Sequence, residues 1–457
     1  VIRELEEVGI TENEVSTGGL RITTTIDMNV QNNTIQAVDD QMAPLQEDAR
    51  AASVTIDPKT GAVRGYFGGH DSNGWDYANS PLQTGSTFKI MALAAALQQG
   101  IGLDTNYSSA PYQLPGSDVV NNVGSGCGVC SLREATKQSL NTSFLRLQAD
   151  LKHGTQDTAD MAHALGVAKS LPGIDKTLTE KGKQPFEGIV LGQYQSRPLD
   201  MATAMSTLAN QGVWHNPHFV QRVENAAGDV LYEHPEDEGE RRVSSNVANN
   251  VIEAMEPVAG WSNGALAGGR TSAAKTGTTQ MGDTGNNKDA WMVGATPQLA
   301  TTVWVGTADN TSAIFDQYGG IMYGAGAPTK IWKAVLDNSL ANSEFQNFPA
   351  AYPIGFGNTA AGTASAPAYD PSWDSGAGDT QNYEAPAEEA APEEETKPAQ
   401  PEKKPESPKP APKPQRGNGN SGNGGNSGNS NQAPAQPEAP SLDDLIGPDS
   451  DLADLLG

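Results

Sequence analysis

Basic residues, cysteines and long apolar runs are all scarce in this chain of 457 residues. Lys and Arg total 29 against 55 Asp and Glu, which gives a net charge of −26. Phosphate contacts need clustered Lys and Arg, so this balance excludes nucleic acid as a partner. The longest clean apolar run, from Ile90 to Leu97, has eight residues. A membrane-spanning helix needs about 20, so the sequence predicts no membrane span.

Cysteine occurs only at Cys127 and Cys130, spaced as CxxC. A structural zinc site would need a second pair of ligands. The nearest candidates, His215 and His218, lie in a Pro/Asn-rich stretch, and we interpret both as loop or surface histidines. We therefore predict no metal and no cofactor. In an exported protein, a local disulfide between the cysteines is favoured over two free thiols, which stay open as the alternative.

Glycine and proline, 50 and 30 residues in all, are densest after about residue 358. The stretch 358–457 also holds 17 acidic and six basic residues, which leaves −15 of the net charge on the rest of the chain. Such a composition cannot bury enough apolar surface to offset chain entropy, so we predict a disordered acidic tail over 358–457. Its end, PSLDDLIGPDSDLADLLG, fits either a short docking helix or a solvated tail.

The rest of the chain shows strand and helix patterns in a definite order. ASVTIDPKTGAVRGYFGG predicts two strands around a turn, and GGRTSAAKTGTT, DAWMVGATP and LATTVWVGT predict three more. Mainly helical patterns separate the two groups, and PTKIWKAVLDNSLANS predicts a final helix. Strands from both ends of this region must meet in one sheet. We therefore predict an α+β fold, with an antiparallel five-stranded sheet flanked by a largely helical subdomain.

The stretch QTGSTFK places Ser86 and Lys89 three residues apart, at the start of the longest apolar run. On a helix this spacing puts both side chains on one face. Free N–H groups at a helix start favour negative charge on the serine, and a lysine with a lowered pKa can act as its base. The alternative is an ordinary helix cap with a solvated lysine. A second SxxK, from Ser272 to Lys275, lies in a strand pattern, where positions i and i+3 face opposite ways.

Two further motifs decide between these interpretations. An SxN at a predicted helix junction and a KTGT on a predicted strand are formed by Ser139, Asn141, Lys275, Thr276, Gly277 and Thr278. The SxN is weak alone, because the triplet 244–246 also fits. In the order SxxK, SxN and KTG, the three motifs make a specific combination, which closely resembles the signature of penicillin-binding proteins and class A β-lactamases.

Acyl transfer needs a nucleophile, a base, an oxyanion site and a proton donor for the leaving amine. We predict Ser86 as the nucleophile, Lys89 as its base and Ser139 as a proton relay toward the leaving nitrogen. Lys275 lowers the pKa of Lys89 and attracts a substrate carboxylate. The backbone N–H groups of Ser86 and Thr278 form the oxyanion hole.

The remaining motif residues are predicted to bind the substrate. The side chain of Asn141 hydrogen-bonds a substrate amide, and the hydroxyls of Thr276 and Thr278 bind a terminal carboxylate. Gly277, which has no side chain, lets an extended substrate lie against the edge of the strand.

These motifs and their context resemble the transpeptidase portion of class A, bifunctional penicillin-binding proteins. The resemblance runs from about Gly18 to about Leu340 and includes VRGYFGG, DYANSPLQTGSTFK, LGQYQSRPLDMATAMSTLANQG and DAWMVGATPQLATTVWVG. It implies D,D-transpeptidation of peptidoglycan stem peptides through a serine acyl-enzyme formed from D-Ala-D-Ala, and acylation by β-lactam antibiotics. Thr84 departs from the family pattern, which commonly has proline there, but this affects the loop before the helix rather than the chemistry.

The resemblance also predicts the domain organisation and the location. GGLRITTTIDMNVQ resembles the connector that follows a glycosyltransferase domain, so we predict a connector over 1–45 and a transpeptidase domain over 46–357 before the tail. An upstream glycosyltransferase domain and a membrane anchor are implied outside this chain, which begins at Val1 rather than Met. The expected location is extracytoplasmic, and the tail is a candidate docking segment for wall-assembly or division proteins.

Three other functions use similar residues. A class A β-lactamase positions its hydrolytic water with the glutamate of an E-x-x-L-N loop, and no such motif lies between Asn141 and Lys275. A D,D-carboxypeptidase would use the same residues with water as the acceptor. A β-lactam sensor or scaffold would keep the pocket without turnover, which the intact set of motifs argues against.

Overall fold

A five-stranded sheet joins the two ends of the folded region. The computed structural model describes residues 1–71, 73–114, 116 and 119–355, so the predicted tail lies outside the described residues. The strands are β1 (Ala49–Ile56), β2 (Val63–Phe67), β3 (Ala273–Gln280), β4 (Asn287–Ala295) and β5 (Ala300–Thr307). They lie in the order β3-β4-β5-β1-β2, and each neighbouring pair is antiparallel. The predicted sheet is therefore confirmed, with β3 at one edge.

Helices cover both faces of this sheet. The longer ones are α1 (Met28–Met42), α2 (Lys89–Gln98), α3 (Leu132–Gln138), α4 (Asn141–Ala149), α5 (Thr155–Leu165), α6 (Pro198–Ala209), α7 (Ser245–Trp261) and α8 (Ala327–Ser339). Helices α1 and α8 pack together on one face, and α6 packs on the other. All of α2 except its last residue is buried, as expected for a helix that is apolar all round. None of the helices in the described part of the chain is long and apolar enough to cross a membrane.

The remaining elements are short. They are the helices Ile2–Glu7 and Glu12–Thr17, the 3₁₀ turns Tyr77–Asn79, Gly85–Phe88, Glu187–Leu191 and Ala267–Gly269, and the strands Arg21–Thr24, Leu82–Gln83, Asn106–Ser108, Tyr112–Gln113, Val119–Val120, Val129–Ser131, Gln195–Ser196, Val213–Trp214, Val220–Glu224, Val230–Glu233 and Glu240–Arg241. Strand Arg21–Thr24 pairs with Val220–Glu224, which in turn pairs with Val230–Glu233. Part of the predicted connector thus forms a small sheet with residues from the middle of the chain.

Three histidines lie beside this small sheet. His215 and His218 belong to a loop, but they are 7% and 3% exposed, so their interpretation as surface side chains is wrong. The ring of His218 stacks on His234 with centroids 3.5 Å apart, and burial lowers the pKa of His218 to about 4. No group of His, Cys, Asp or Glu within the described residues is arranged to hold a metal ion.

Candidate active site

The sheet holds the segment that carries Ser86. Ser86 lies in the 3₁₀ turn Gly85–Phe88, which leads directly into α2. The carbonyl of Gln83 accepts the indole N–H of Trp291 on β4 at 2.8 Å and the hydroxyl of Thr279 on β3 at 3.2 Å. Gly85 has a φ of +57°, and a Cβ there would lie 2.4 Å from the carbonyl oxygen of Thr278. The turn is therefore packed directly against the edge strand.

Lys89, the first residue of α2, is fully buried beneath Ser86. Its Nζ lies 2.9 Å from Oγ of Ser86, 2.6 Å from the carbonyl oxygen of Ser139 and 2.7 Å from Oδ1 of Asn141. The last two oxygens only accept, so they take two N–H groups of Lys89 and leave its third position facing Ser86. Burial lowers the pKa of Lys89 well below its ordinary value, and the charge of Lys275 lowers it further. A neutral Lys89 in this position is placed to accept the hydroxyl proton of Ser86.

Ser139 lies between the two buried lysines. Its Oγ accepts a hydrogen bond from Nζ of Lys275 at 2.7 Å and lies 3.3 Å from Nζ of Lys89. Ser139 ends α3 in the left-handed conformation, with a φ of +58°, which costs a non-glycine residue roughly 1–2 kcal/mol. The turn lets α4 begin only two residues later, so that Ser139 and Asn141 both face Lys89. Backbone strain at this point thus serves the geometry of the site.

Lys275 is also fully buried, and no ion pair of the described residues involves it or Lys89. Besides Ser139, its Nζ donates to the carbonyl of Thr276 at 3.0 Å. Burial lowers the pKa of Lys275 to about 7. The pKa of Lys89 is lowered by burial and by the charge of Lys275, whereas burial alone lowers the pKa of Lys275.

Gly277 lies opposite the nucleophile turn. A Cβ at this position would lie 2.4 Å from the carbonyl oxygen of Thr84 and 2.7 Å from Cγ2 of Thr87. The glycine is therefore required by the contact between β3 and the turn, a reason that the sequence analysis did not foresee. The hydroxyl of Thr278 accepts the N–H of Gly324 at 3.2 Å, which leaves its own hydrogen available to a ligand. Thr276 lies beside Lys275 on the same edge strand.

Several residues that support this arrangement were missed from the sequence. A Cβ at Gly192 would lie 2.2 Å from the backbone of Gly85, and one at Gly324 would lie 2.4 Å from the carbonyl oxygen of Trp291. Gly192 lets its segment approach the turn closely, and Gly324 lets its segment approach β4 and β3. The contacts join residues distant in the chain, and no local signal in a single sequence identifies them. Cys127 and Cys130 form a disulfide in a nearby loop.

A serine hydroxyl in contact with a buried amine, together with a second buried lysine on the adjacent edge strand, defines a serine acyl-transfer site. The family model described as the penicillin binding protein transpeptidase domain matches residues 51–336. The chain therefore belongs to the penicillin-binding transpeptidase family, whose members are serine acyltransferases.

Named relatives are similar over most of the chain. Penicillin-binding protein 1A of Mycolicibacterium smegmatis is 51% identical over 371 residues, which cover 80% of this chain and 47% of the relative. Penicillin-binding protein 1A of Mycobacterium tuberculosis is 50% identical over 361 residues, which cover 78% of this chain and 44% of the relative. The chain thus spans about half the length of these relatives.

Solved structures share the fold. The penicillin-binding protein PonA1 of Mycobacterium tuberculosis is 48% identical, with a TM-score of 0.76, and the match covers 81% of this chain and 97% of that one. A PonA1 structure in complex with penicillin V is 50% identical, with a TM-score of 0.76, and that match covers 78% and 96% of the two chains.

Proposed function

We propose that this chain is the transpeptidase portion of a class A penicillin-binding protein. It cross-links peptidoglycan stem peptides through an acyl-enzyme on Ser86 formed from D-Ala-D-Ala, and β-lactams acylate the same serine. The observation that carries the proposal is the 2.9 Å contact between Oγ of Ser86 and Nζ of the buried Lys89. The similarity to a structure with bound penicillin V supports the β-lactam part.

The geometry suggests how each group acts in acylation. Oγ of Ser86 attacks the carbonyl carbon of the penultimate D-alanine while its proton moves to neutral Lys89. The backbone N–H groups of Ser86 and Thr278 stabilise the oxyanion. The intermediate collapses with cleavage of the peptide bond, and the leaving nitrogen receives a proton through the hydroxyl of Ser139. In the second half, the acceptor amine attacks the ester, loses a proton to Lys89 and releases Ser86.

Substrate binding is assigned to the strand edge and to α4. Lys275 and the hydroxyls of Thr276 and Thr278 bind the terminal carboxylate of the donor peptide. Asn141 binds a substrate amide, and Gly277 allows both the extended substrate and the nucleophile turn to lie close to β3.

The domain organisation and location follow from the same proposal. Residues 1–45 are the connector after a glycosyltransferase domain, 46–357 the transpeptidase domain and 358–457 an acidic tail that is a candidate docking segment for wall-assembly or division proteins. The whole protein is anchored in the cytoplasmic membrane, with this portion outside the cytoplasm.

A product assay tests the reaction. The chain is incubated with a donor peptide that ends in D-Ala-D-Ala and with an amine acceptor, and the products are identified by mass spectrometry. We expect released D-alanine together with cross-linked product, and neither with Ser86→Ala. Release of D-alanine without cross-links would indicate a carboxypeptidase. A penicillin adduct without any peptide turnover would indicate a sensor, and either result would overturn the proposal.

A further inference from the structure

The start of α4 carries Asn141 of the site, two residues after Ser139, but has no side-chain cap of its own. Leu140 is the N-cap residue, and its apolar side chain cannot accept a backbone N–H group. Asn122, which lies 20 residues upstream, supplies the acceptor, because its Oδ1 accepts the N–H of Thr142 at 3.0 Å. Asn122 therefore caps α4 from another segment of the chain.

The whole side-chain amide of Asn122 is used in this contact. Its Nδ2 donates to Oγ1 of Thr142 at 2.9 Å and to the carbonyl of Ser109 at 2.8 Å. The backbone N–H of Thr142 only donates and the carbonyl of Ser109 only accepts, so the partners determine the orientation of the amide. Thr142 is fully buried, which makes an unpaired N–H or hydroxyl there costly.

Asn121, the residue before Asn122, hydrogen-bonds the side chain of Asn141. The carbonyl of Asn121 accepts a hydrogen bond from Nδ2 of Asn141 at 3.1 Å, and this leaves Oδ1 of Asn141 facing Nζ of Lys89 at 2.7 Å. With the amide reversed, Asn141 would present N–H donors to Lys89, and neutral Lys89 would lose an acceptor. Two consecutive residues, 121 and 122, thus hold two consecutive residues, 141 and 142.

Ser109, which accepts a hydrogen bond from Asn122, is itself held by neighbouring backbone groups. The N–H of Cys127 donates to Oγ of Ser109 at 2.9 Å, and the N–H and hydroxyl of Ser109 donate to the carbonyl of Gly128 at 2.7 and 3.1 Å. The disulfide between Cys127 and Cys130 closes this turn. Asn122 therefore hydrogen-bonds a residue, Ser109, that is itself held by the hydrogen bonds of the disulfide-closed turn.

We propose that Asn122 is a positioning residue for the acylation step. It holds the start of α4 in place and, through Asn141, keeps Lys89 aligned with Ser86. Asn122 lies outside all three signature motifs, and only the contacts of the folded chain reveal it. The inference rests on the proposed function, because Lys89 acts as a base only in that reaction.

Single-turnover acylation by penicillin tests the inference. Measurements over a range of penicillin concentrations separate the Kd of the first complex from the acylation rate constant. For Asn122→Ala we expect the rate constant to fall on the order of 10- to 100-fold, as misaligned reacting groups imply, with Kd changed by less than about twofold. Val123→Ala, at the next residue and 76% exposed, is the matched control and keeps the parent rate. A parent rate in folded Asn122→Ala overturns the proposal.

A double variant tests whether Asn122→Ala slows acylation by displacing Asn141. If it does, Asn122→Ala combined with Asn141→Ala acylates as slowly as Asn141→Ala alone. If the double variant instead slows by the product of the two single-variant fold-changes in rate, the two residues act independently, which would contradict the proposal. Asn122→Asp keeps an acceptor for Thr142 but loses both donors, and we expect a rate between those of the parent and Asn122→Ala. This variant carries the test if the alanine variant does not fold.

A crystal structure of Asn122→Ala gives a result that does not depend on activity. We expect Oδ1 of Asn141 to move away from Nζ of Lys89, and an unmoved Asn141 overturns the inference. If the parent chain is not acylated at all, the proposed function fails, and this structural comparison still decides the role of Asn122.

Discussion

The chain contains the tetrapeptide pattern SxxK twice in its folded part, and the two copies have different geometry. In the first, Ser86 and Lys89 lie within one turn at the start of α2, and their side chains meet at 2.9 Å. In the second, Ser272 precedes β3, and Lys275 contacts Ser139 instead, 136 residues away in the chain. Helical periodicity brings positions i and i+3 together, whereas a strand points them to opposite sides. The backbone, not the motif, brings the two side chains of the first copy into contact.

The second copy still contributes to the first. Lys275 reaches the hydroxyl of Ser139, which also lies 3.3 Å from Nζ of Lys89. The lysine of the second SxxK, Lys275, therefore belongs to the site, while its serine, Ser272, does not. The two lysines differ in their contacts, since Nζ of Lys89 lies 2.9 Å from Oγ of Ser86 whereas Nζ of Lys275 donates to Ser139 and Thr276, and in the causes that lower the pKa of each.

The two SxxK copies should differ most in how replacement of the serine affects acylation by penicillin. We expect Ser86→Ala to abolish the covalent penicillin adduct, because the other described hydroxyl within 3.5 Å of Nζ of Lys89, that of Ser139 at 3.3 Å, is hydrogen-bonded to Lys275. Ser272→Ala should be acylated at the parent rate. Intact-protein mass spectrometry checks both variants, and an adduct that persists in Ser86→Ala would locate the nucleophile elsewhere.

Removal of the base should have the next largest effect. Lys89→Met keeps an unbranched apolar side chain in the buried position but leaves Ser86 without a proton acceptor, so acylation should slow on the order of 10³-fold. Lys330→Met, on the exposed face of α8, should leave the rate unchanged. The acylation rate constant with a fluorescent penicillin measures both. A loss below tenfold in folded Lys89→Met would assign the base to another group.

Gly277→Ala should separate the strand from the nucleophile turn. The added methyl would meet the carbonyl of Thr84 at 2.4 Å, so β3 and the turn must move apart and displace Lys275 relative to Ser86. We expect acylation to slow on the order of 100-fold, as a displacement of about 1 Å implies. Gly260→Ala in α7, where the Cβ meets nothing within 4 Å, is the control. Equal rates for the two variants would show that the close approach does not matter to catalysis.

Local patterns in the sequence predicted the local structure correctly. The strand patterns and turn of residues 52–69 predicted the β1–β2 hairpin, and the apolar run after Ser86 predicted a core helix. Spacing also predicted which SxxK could pair, since this depends only on the periodicity of the local backbone. The junction at Ser139 was expected as well, although its left-handed conformation was not.

What the sequence did not reveal are contacts between distant segments. The close approach of Gly277 to Thr84, and the cap that Asn122 gives to Thr142, depend on the packing of whole elements. The same limit explains the error on His215 and His218, which look like loop residues but become buried beside the small sheet. Local patterns specify elements, and only tertiary packing specifies what an element covers.

The pH dependence of acylation should distinguish the two lysines. The reaction needs neutral Lys89, so the rate rises with pH through the lowered pKa of Lys89. It also uses the charge of Lys275, whose pKa burial lowers to about 7, so the rate falls again above that pH. Lys275→Arg keeps its charge at all these pH values. Its acylation rate should still rise with pH but should no longer fall at alkaline pH. Profiles of the acylation rate from pH 5 to 9 measure this, and an unchanged alkaline limb would contradict the assignment.

The smallest effect is expected at Thr84, just before the reactive copy. Its side chain is fully buried, and its Oγ1 has no hydrogen-bond partner. Thr84→Val keeps the shape and removes this unpaired oxygen, so the free energy of unfolding should rise by about 1 kcal/mol. Acylation should not change, because Thr84 contacts β3 through its backbone carbonyl, which valine retains. Chemical denaturation measures the first effect. A less stable Thr84→Val would mean that the hydroxyl is paired in solution and that the turn before Ser86 depends on it.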